Sequence, residues 1–527
     1  MSGNDQHGGA DDAASDDESG IDVEFDNPVK VSLHRPPEGV SRREFMAGAG
    51  AGAAAMLAGC GGQTDNADQT TQSGNGQTTN NQETTETNSD DQDGLNHVHF
   101  ICDYTNERWQ QRWQKLIPEF EKEHGVPMNI EYSGVIGSGG QQRLFNLVQA
   151  GDPPEMYLGD PGHYMDLVVN GTAMKLNDLI EEIGQEVGPF NEKAIARTNI
   201  RGDYYQTVSG LYNAIFNYRS DLYDQLSLDV PQTQQELLDA AQAIDEDGSI
   251  PARGYALCGT VGGKSNADFL NFLMCRDSWV VEWEDQDNKT LPDGLQPGFR
   301  EEGVVELLEY FQQLAEYSPD PSSLSWGNTV EHYANNRVAQ QYHLNTWPLT
   351  AAIAIGADDI VANTGVDWIP KKAGTNPTVR GFPGPDGSPI FKGENSNTEG
   401  ARKFQKWWLG DLKRNAENYH AFPTRFVPPS EKIATSEHYT EGQVFKDYPN
   451  TLRINQKIIG ELASKMAGPQ SKHPYTPVVG YLRRFDIFST TMNRALVGEE
   501  NLSKVHNEMR ERLVSRFDEA MEKFSAL

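Results

Sequence analysis

Basic charge is scarce in this sequence. Only 44 of its 527 residues are Lys or Arg, 20 of them Lys, against 77 Asp and Glu, for a formal net charge of −33. Binding nucleic acid requires a basic face to neutralise phosphates, so that class is excluded. Cysteine is scarcer still: four residues, at 60, 102, 258 and 275, too few to build a disulfide scaffold in so long a chain. No apolar run reaches the ~20 residues of a membrane-spanning helix. Catalytic spacings are missing too: H-E-x-x-H, G-x-S-x-G and C-x-x-C do not occur, and the 12 His show no metal-ligand spacing. Neither a catalytic role, a cofactor nor a metal is therefore expected. What abounds is carboxylate, on a chain too long for one core, which implies two or more lobes. An acid-rich, lysine-poor surface suits concentrated salt, where its self-repulsion is screened, and points to a halophilic source.

Residues 1–59 read as an export-signal region. Arg42-Arg43 stand ahead of a 15-residue Ala/Gly-rich stretch, Phe45 to Gly59, and resemble a twin-arginine export signal. The stretch ends in Leu57-Ala58-Gly59-Cys60, which resembles the lipobox at whose cysteine lipid is attached. The first 40 residues carry ten acids and two bases, unlike a short positive leader, and translation is expected to start downstream, at a non-Met codon such as Val31 or Val40. Residues 60–96 are rich in Gln, Thr, Asn and Asp. They cannot bury enough apolar surface to offset ordering entropy and read as a disordered, lipid-anchored tether. The expected location is the cell membrane, lipid-anchored and facing outside.

From His97 the pattern changes to alternating strand and helix. Val98 to Cys102 reads as a strand, and Trp109, Trp113, Leu116, Ile117 and Phe120 form a helical stripe that Pro118 should kink or end. Strands follow at Met128–Tyr132 and Glu155–Leu158, with a helix between them. This βαβαβ order predicts a parallel sheet flanked by helices, and ligands bind beyond the carboxyl ends of such strands. Asp103, Tyr104, Ser133 to Ser138 and Asp160 to Tyr164 fall on that rim. Cys258-Gly-Thr-Val-Gly-Gly-Lys264-Ser imitates a phosphate loop, but the first glycine of G-x-x-x-x-G-K-[ST] would be residue 258, which is Cys. The segment reads instead as a ligand loop with Lys264 as a donor. Spacing leaves open whether Cys258 and Cys275 pair. A last amphipathic helix is expected from Leu502, Val505, Met509, Leu513, Phe517, Met521 and Phe524.

Six segments in this order, IPEFEKEHGVPMNIEY, AGDPPEMYLGD, LNDLIEEI, LYNAIFNYRSDLYDQLSLDVPQTQQELLDAAQAI, NNRVAQQYHLNTWP and NSNTEGARKFQKWWL, resemble the extracellular solute-binding proteins of ABC importers, of the large sugar-binding type. The likeness covers roughly 95–415. It implies a two-lobed α/β fold of the periplasmic-binding-protein kind, with residues 97–208 and 380–418 in lobe one and residues 209–379 and 419–527 in lobe two. It implies no enzyme activity. The expected partners are a sugar or oligosaccharide and the ABC permease subunits, with the protein a monomer held to the membrane by its lipid. A sugar presents apolar C–H faces and a rim of hydroxyls, so aromatic platforms and paired hydrogen-bonding groups are sought. Trp347, with Asn345 in the same segment, resembles the family's stacking tryptophan; Trp326, in a loop, is a second platform. Asp160, His163 and Tyr164 match the family's polar ligand loop in place, while Asp103 and Tyr104 end the first strand. Two alternatives stand beside this reading: an exported glycoside hydrolase using a carboxylate pair, and the same binding fold with a polyamine, phosphate ester or metal chelate as cargo.

Overall fold

Val98–Cys102 (β1) pairs in parallel with Met128–Tyr132 (β2) on one side and Met156–Leu158 (β3) on the other, with Val98 opposite Met128 and Phe100 opposite Met156. The computed structural model describes residues 97–525 apart from 134–138, 160–163, 196–198, 286, 288, 290–293, 299–300, 469 and 499. Arg42, Arg43, Cys60 and the tether lie outside the described residues. No helix among the described residues is long and apolar enough to cross a membrane.

The helix Glu107–His124 (α1) joins β1 to β2. Asn106 caps it by accepting from Arg108 N, and Gly125 ends it in the left-handed conformation, with φ 66°. The predicted stripe is its buried face. The helix runs through Pro118, so the expected early end does not occur. Pro118 and Gln114 both lie on the exposed face, so the carbonyl that loses its intrahelical bond turns to water. Gly139–Gln149 (α2) joins β2 to β3, and Tyr164–Val169 (α3) and Asn177–Val187 (α4) follow.

The chain then enters Gly210–Arg219 (β4), a ten-residue strand buried along nearly all its length. Beyond it come Gly263–Met274 (α5), Glu301–Ala315 (α6), Trp326–Ala334 (α7), Gln340–Leu344 (β5), Trp347–Ala354 (α8), Thr364–Asp367 (β6) and Pro383–Asp386 (β7). All the partners of β4 are antiparallel. Its first half pairs with β7, from Gly210–Asp386 to Asn213–Pro383, and its second half pairs with β6 and β5. One strand thus links both parts of the molecule. Gly384 makes room for this, because a Cβ there would sit 1.8 Å from the Tyr212 ring that crosses it.

Thr398–Gly410 (α9) and Leu412–Ala421 (α10) return to the first sheet. Trp408 packs 4.8 Å from Trp113, and Arg402 pairs with Asp178 of α4 at 2.6 Å. The next stretch stays there. Ser430 Oγ donates to Val187 O at 2.6 Å, and Tyr439 packs edge-on to Tyr419 at 5.7 Å. Contacts with the first sheet and its helices thus continue past residue 418, as far as Tyr439. The C-terminal helices Pro477–Arg483 (α11), Ile487–Val497 (α12) and Leu502–Ser525 (α13) close the second lobe over α5 and α6. The stripe of α13 is as expected, with Val505, Met509, Leu513, Phe517 and Phe524 buried.

Candidate ligand-binding site

Asp103 follows β1 directly. Its buried carboxylate accepts from Ser133 Oγ at 2.6 Å and from the Tyr157 hydroxyl, tying together the ends of the three parallel strands. Gly159 leaves space for it, since a Cβ there would lie 2.5 Å from Asp103 Oδ2. Tyr104 points the other way. Its hydroxyl donates to Asp386 at the end of β7, and Ser209 Oγ donates to the same carboxylate at 3.3 Å. Burial, and then the Asp386 charge, push the Tyr104 phenol well above its ordinary pKa, so it stays a donor.

From the second lobe come α5, the start of α7, β5 and the start of α8. Lys264 lies in the first turn of α5 and pairs with Asp268, four residues on, at 2.5 Å; both are buried. The expected loop position is thus corrected: Lys264 is helical, and its ammonium is already held. It lies 4.6 Å from the Tyr342 ring centroid and 5.6 Å from that of Trp326. Burial pushes the Asp268 carboxyl up to about 6, against the lowering pull of Lys264. His343, on β5, sits edge-on between Trp326 at 5.2 Å and Trp347 at 5.3 Å, and those two indoles are 6.4 Å apart and tilted by 33°. Its Nδ1 accepts from Leu344 N at 2.9 Å. Burial, and then the charges of Lys264 and Arg425, hold this imidazole well below its ordinary pKa, so it is neutral.

Arg425 connects the two sets. It lies on the loop after α10, with its guanidinium carbon 3.8 Å from the Trp347 ring centroid, 5.2 Å from Phe426, 5.8 Å from Tyr212 and 5.9 Å from Tyr104. Asn345 fixes this loop. Held at φ 47°, it accepts from Asn213 N at 2.9 Å and donates to Leu211 O at 2.8 Å and Arg425 O at 3.1 Å. Its amide is spent on backbone, which makes it a positioning residue.

Of the residues singled out by sequence, Trp326, Trp347 and Lys264 come together, and Tyr104 joins them through Arg425. Asp103 turns into the strand ends, and Asn345 into the crossing strand. Asp160 and His163 lie outside the described residues, as does the side chain of Tyr164, although its backbone opens α3. The sequence reading did not single out Arg425, His343, Asp268, Asp386 or Tyr212. The available signal for Arg425 was a lone cation within Phe422-Pro-Thr-Arg425-Phe-Val-Pro428, an otherwise apolar, proline-bounded segment. The open pairing of Cys258 with Cys275 is settled: both are free and buried, and Cys258 Sγ lies by Leu324 O while Cys275 Sγ lies by Arg380 O at 3.3 Å. Among the described residues no group of three His, Cys, Asp or Glu is arranged to hold a metal.

A parallel sheet flanked by helices, a crossing strand and an aromatic, polar array where the two parts meet define a two-lobed binding protein. The chain belongs to the bacterial extracellular solute-binding protein family, whose model matches residues 106–411. Solved structures share the fold at low identity. A solute-binding protein of Agrobacterium radiobacter K84, in complex with ribitol, superposes with a TM-score of 0.64 at 18% identity, covering 80% of this chain and 100% of its own. The GacH receptor of Streptomyces glaucescens, studied with acarbose, gives 0.61 at 17%, covering 81% and 99%. UgpB of Mycobacterium tuberculosis, bound to glycerophosphocholine, gives 0.62 at 13%, covering 81% and 100%. No curated protein sequence matches this chain significantly.

Proposed function

We propose that this protein captures a small solute, a sugar or oligosaccharide, between its lobes and delivers it to the permease subunits of an ABC importer. In this reading it performs no bond chemistry and acts as a monomer. It is exported under the Arg42-Arg43 signal and held to the outer membrane face by lipid on Cys60. Lobe one comprises 97–208 and 380 to about 440, and lobe two the remainder of the folded body. The observation that carries the proposal is the array of Trp326, Trp347, Arg425 and Lys264: two tilted indoles offer apolar platforms, and charged donors surround them. Asp160, His163 and Tyr164 would complete the array from the first lobe. A solute that touches both lobes only when they close shifts the population to the closed form by its differential affinity.

A ligand that binds only the native state raises the melting temperature, by about 2.7 kcal/mol of added stability at a hundredfold excess over Kd. The test is a thermal-shift screen in high salt against sugars, polyols, amines and glycerophosphates. A sugar or sugar-like polyol should raise the Tm. No response to any of them, together with hydrolysis of a glycoside, would replace this reading by the hydrolase alternative. The anchor is tested separately: Cys60→Ser should release the protein from membranes, and an unchanged membrane fraction would dismiss the lipid.

A further inference from the structure

Arg425 is 5% exposed, and its Nε and Nη1 are buried with no hydrogen-bond partner among the described residues. Among the described residues no carboxylate pairs with it. The carboxylates of this region have donors of their own: Asp386 is met by Tyr104 and Ser209, Asp103 by Ser133 and Tyr157, and Asp268 by Lys264. Taking a cation out of water costs several kcal/mol even after relaxation, whereas a ring contact returns about 0.5–2 kcal/mol. Stacking on Trp347 therefore leaves this guanidinium undercompensated. With its carbon 3.8 Å from the Trp347 ring centroid, the indole covers one side of the guanidinium, and the acceptors it lacks must meet its N–H groups, which a guanidinium presents in pairs along its edges. Two oxygens of one anionic group fit such an edge, with near-parallel hydrogen bonds. The bond from Asn345 to Arg425 O, at 3.1 Å, holds the backbone of this residue in place.

We infer that the solute carries an oxyanion on a polyol or sugar frame, and that Arg425 receives the oxyanion while Trp347 and Trp326 flank the frame. This inference rests on the solute-binding reading above and narrows it. A carboxylate, as in a uronic acid, and a phosphodiester, as in a glycerophosphodiester, share the required chemistry.

Titration calorimetry on the full chain separates these sources with matched pairs: digalacturonate against its dimethyl ester, and glycerophosphoglycerol against diglycerol. In at least one pair the anion should bind tenfold or more tightly than its neutral partner. Arg425→Gln should abolish that preference, and Arg425→Lys should retain part of it. Equal or tighter binding of the neutral member in both pairs, or an equal loss for both members in Arg425→Gln, overturns the inference. If a neutral sugar such as maltose then binds, the solute-binding reading survives alone. If no sugar, acid or diester binds, both readings fall. Should Arg425→Gln not fold, the wild-type pairs decide by themselves.

Discussion

Replacing Lys264 by Met removes the ammonium from a pair buried on both sides while keeping a chain of similar length. Asp268 then loses its largest stabilising influences, the Lys264 charge and hydrogen bond, and retains only a long bond from Cys258 N at 3.4 Å. Even with Lys264 present, the carboxyl is pushed from 3.8 up to about 6 by burial. Keeping it ionised at pH 7.5 thus already costs about 3 kcal/mol, at ~1.4 kcal/mol per pH unit. Without Lys264 the carboxyl can instead take up a proton, which at pH 7.5 caps the further electrostatic cost at about 2 kcal/mol. A raised carboxyl contributes its full stability below the unfolded value near 3.8 and loses it as pH climbs through the folded value. The damage from Lys264→Met should therefore be greatest above pH 7 and should shrink toward pH 5, where the native carboxyl takes up a proton. Differential scanning fluorimetry at pH 7.5 should show a fall in Tm of about 4–8 °C, given ~2–4 °C per kcal/mol for smaller domains. The double variant Lys264→Met with Asp268→Leu should recover most of it. A fall below 2 °C, or one equal at pH 5 and pH 7.5, would refute the claim that a buried charge is being stranded.

Three further outcomes follow from the same contacts. Trp347→Ala should weaken solute binding at least tenfold by calorimetry while the protein stays folded; unchanged affinity would remove Trp347 from the site. Asp166, on α3 of the first lobe, pairs with Lys523 of α13 at 3.0 Å and with Arg484 just after α11, both of the second lobe. Asp166→Asn should loosen that contact by about 1 kcal/mol, as expected of partly exposed pairs, and increase the radius of gyration by small-angle scattering at low salt; an unchanged radius would show that the pairs do not restrain the lobes. Burial pushes the Cys102 and Cys275 thiols up to about 12 and raises Cys258. At pH 8 these three should react with a thiol reagent only on unfolding; rapid labelling of the native protein would contradict their burial.

Much of the fold is legible in the sequence because it rests on periodicity. The stripe from Trp109 to Phe120 and that of α13 are set by local spacing, as is the strand–helix alternation through Leu158. Pro118 does not end its helix because the carbonyl it leaves unpaired lies on the exposed face, which spacing alone does not reveal. The site was legible only in part. Sequence places Trp326 and Lys264 in loops and singles out Trp347 by resemblance, whereas each stands in the first turn of a helix, in α7, α5 and α8 respectively. Arg425 and Asp386 acquire meaning only through tertiary pairing: Asp386 meets Tyr104 across 282 positions, and Arg425 reaches Trp347 because Asn345 holds its carbonyl. No spacing rule spans such distances. The packing of Tyr439 against Tyr419 is of the same kind, a side-chain contact that leaves no periodic trace.

The crossing strand has a consequence for how the protein comes into being. Among the described residues every partner of β4 lies downstream, in the strands 340–344, 364–367 and 383–386 and at Val427, which bridges Leu211. Until those residues are available, the ten-residue apolar strand has no ladder on either edge, and closing each loop carries the entropy of more than a hundred residues. The nascent chain therefore passes through a stage with an open, sticky edge, vulnerable to aggregation and in need of protection. Once β5, β6 and β7 dock, both lobes acquire their junction in the same event. Neither half can then mature far ahead of the other.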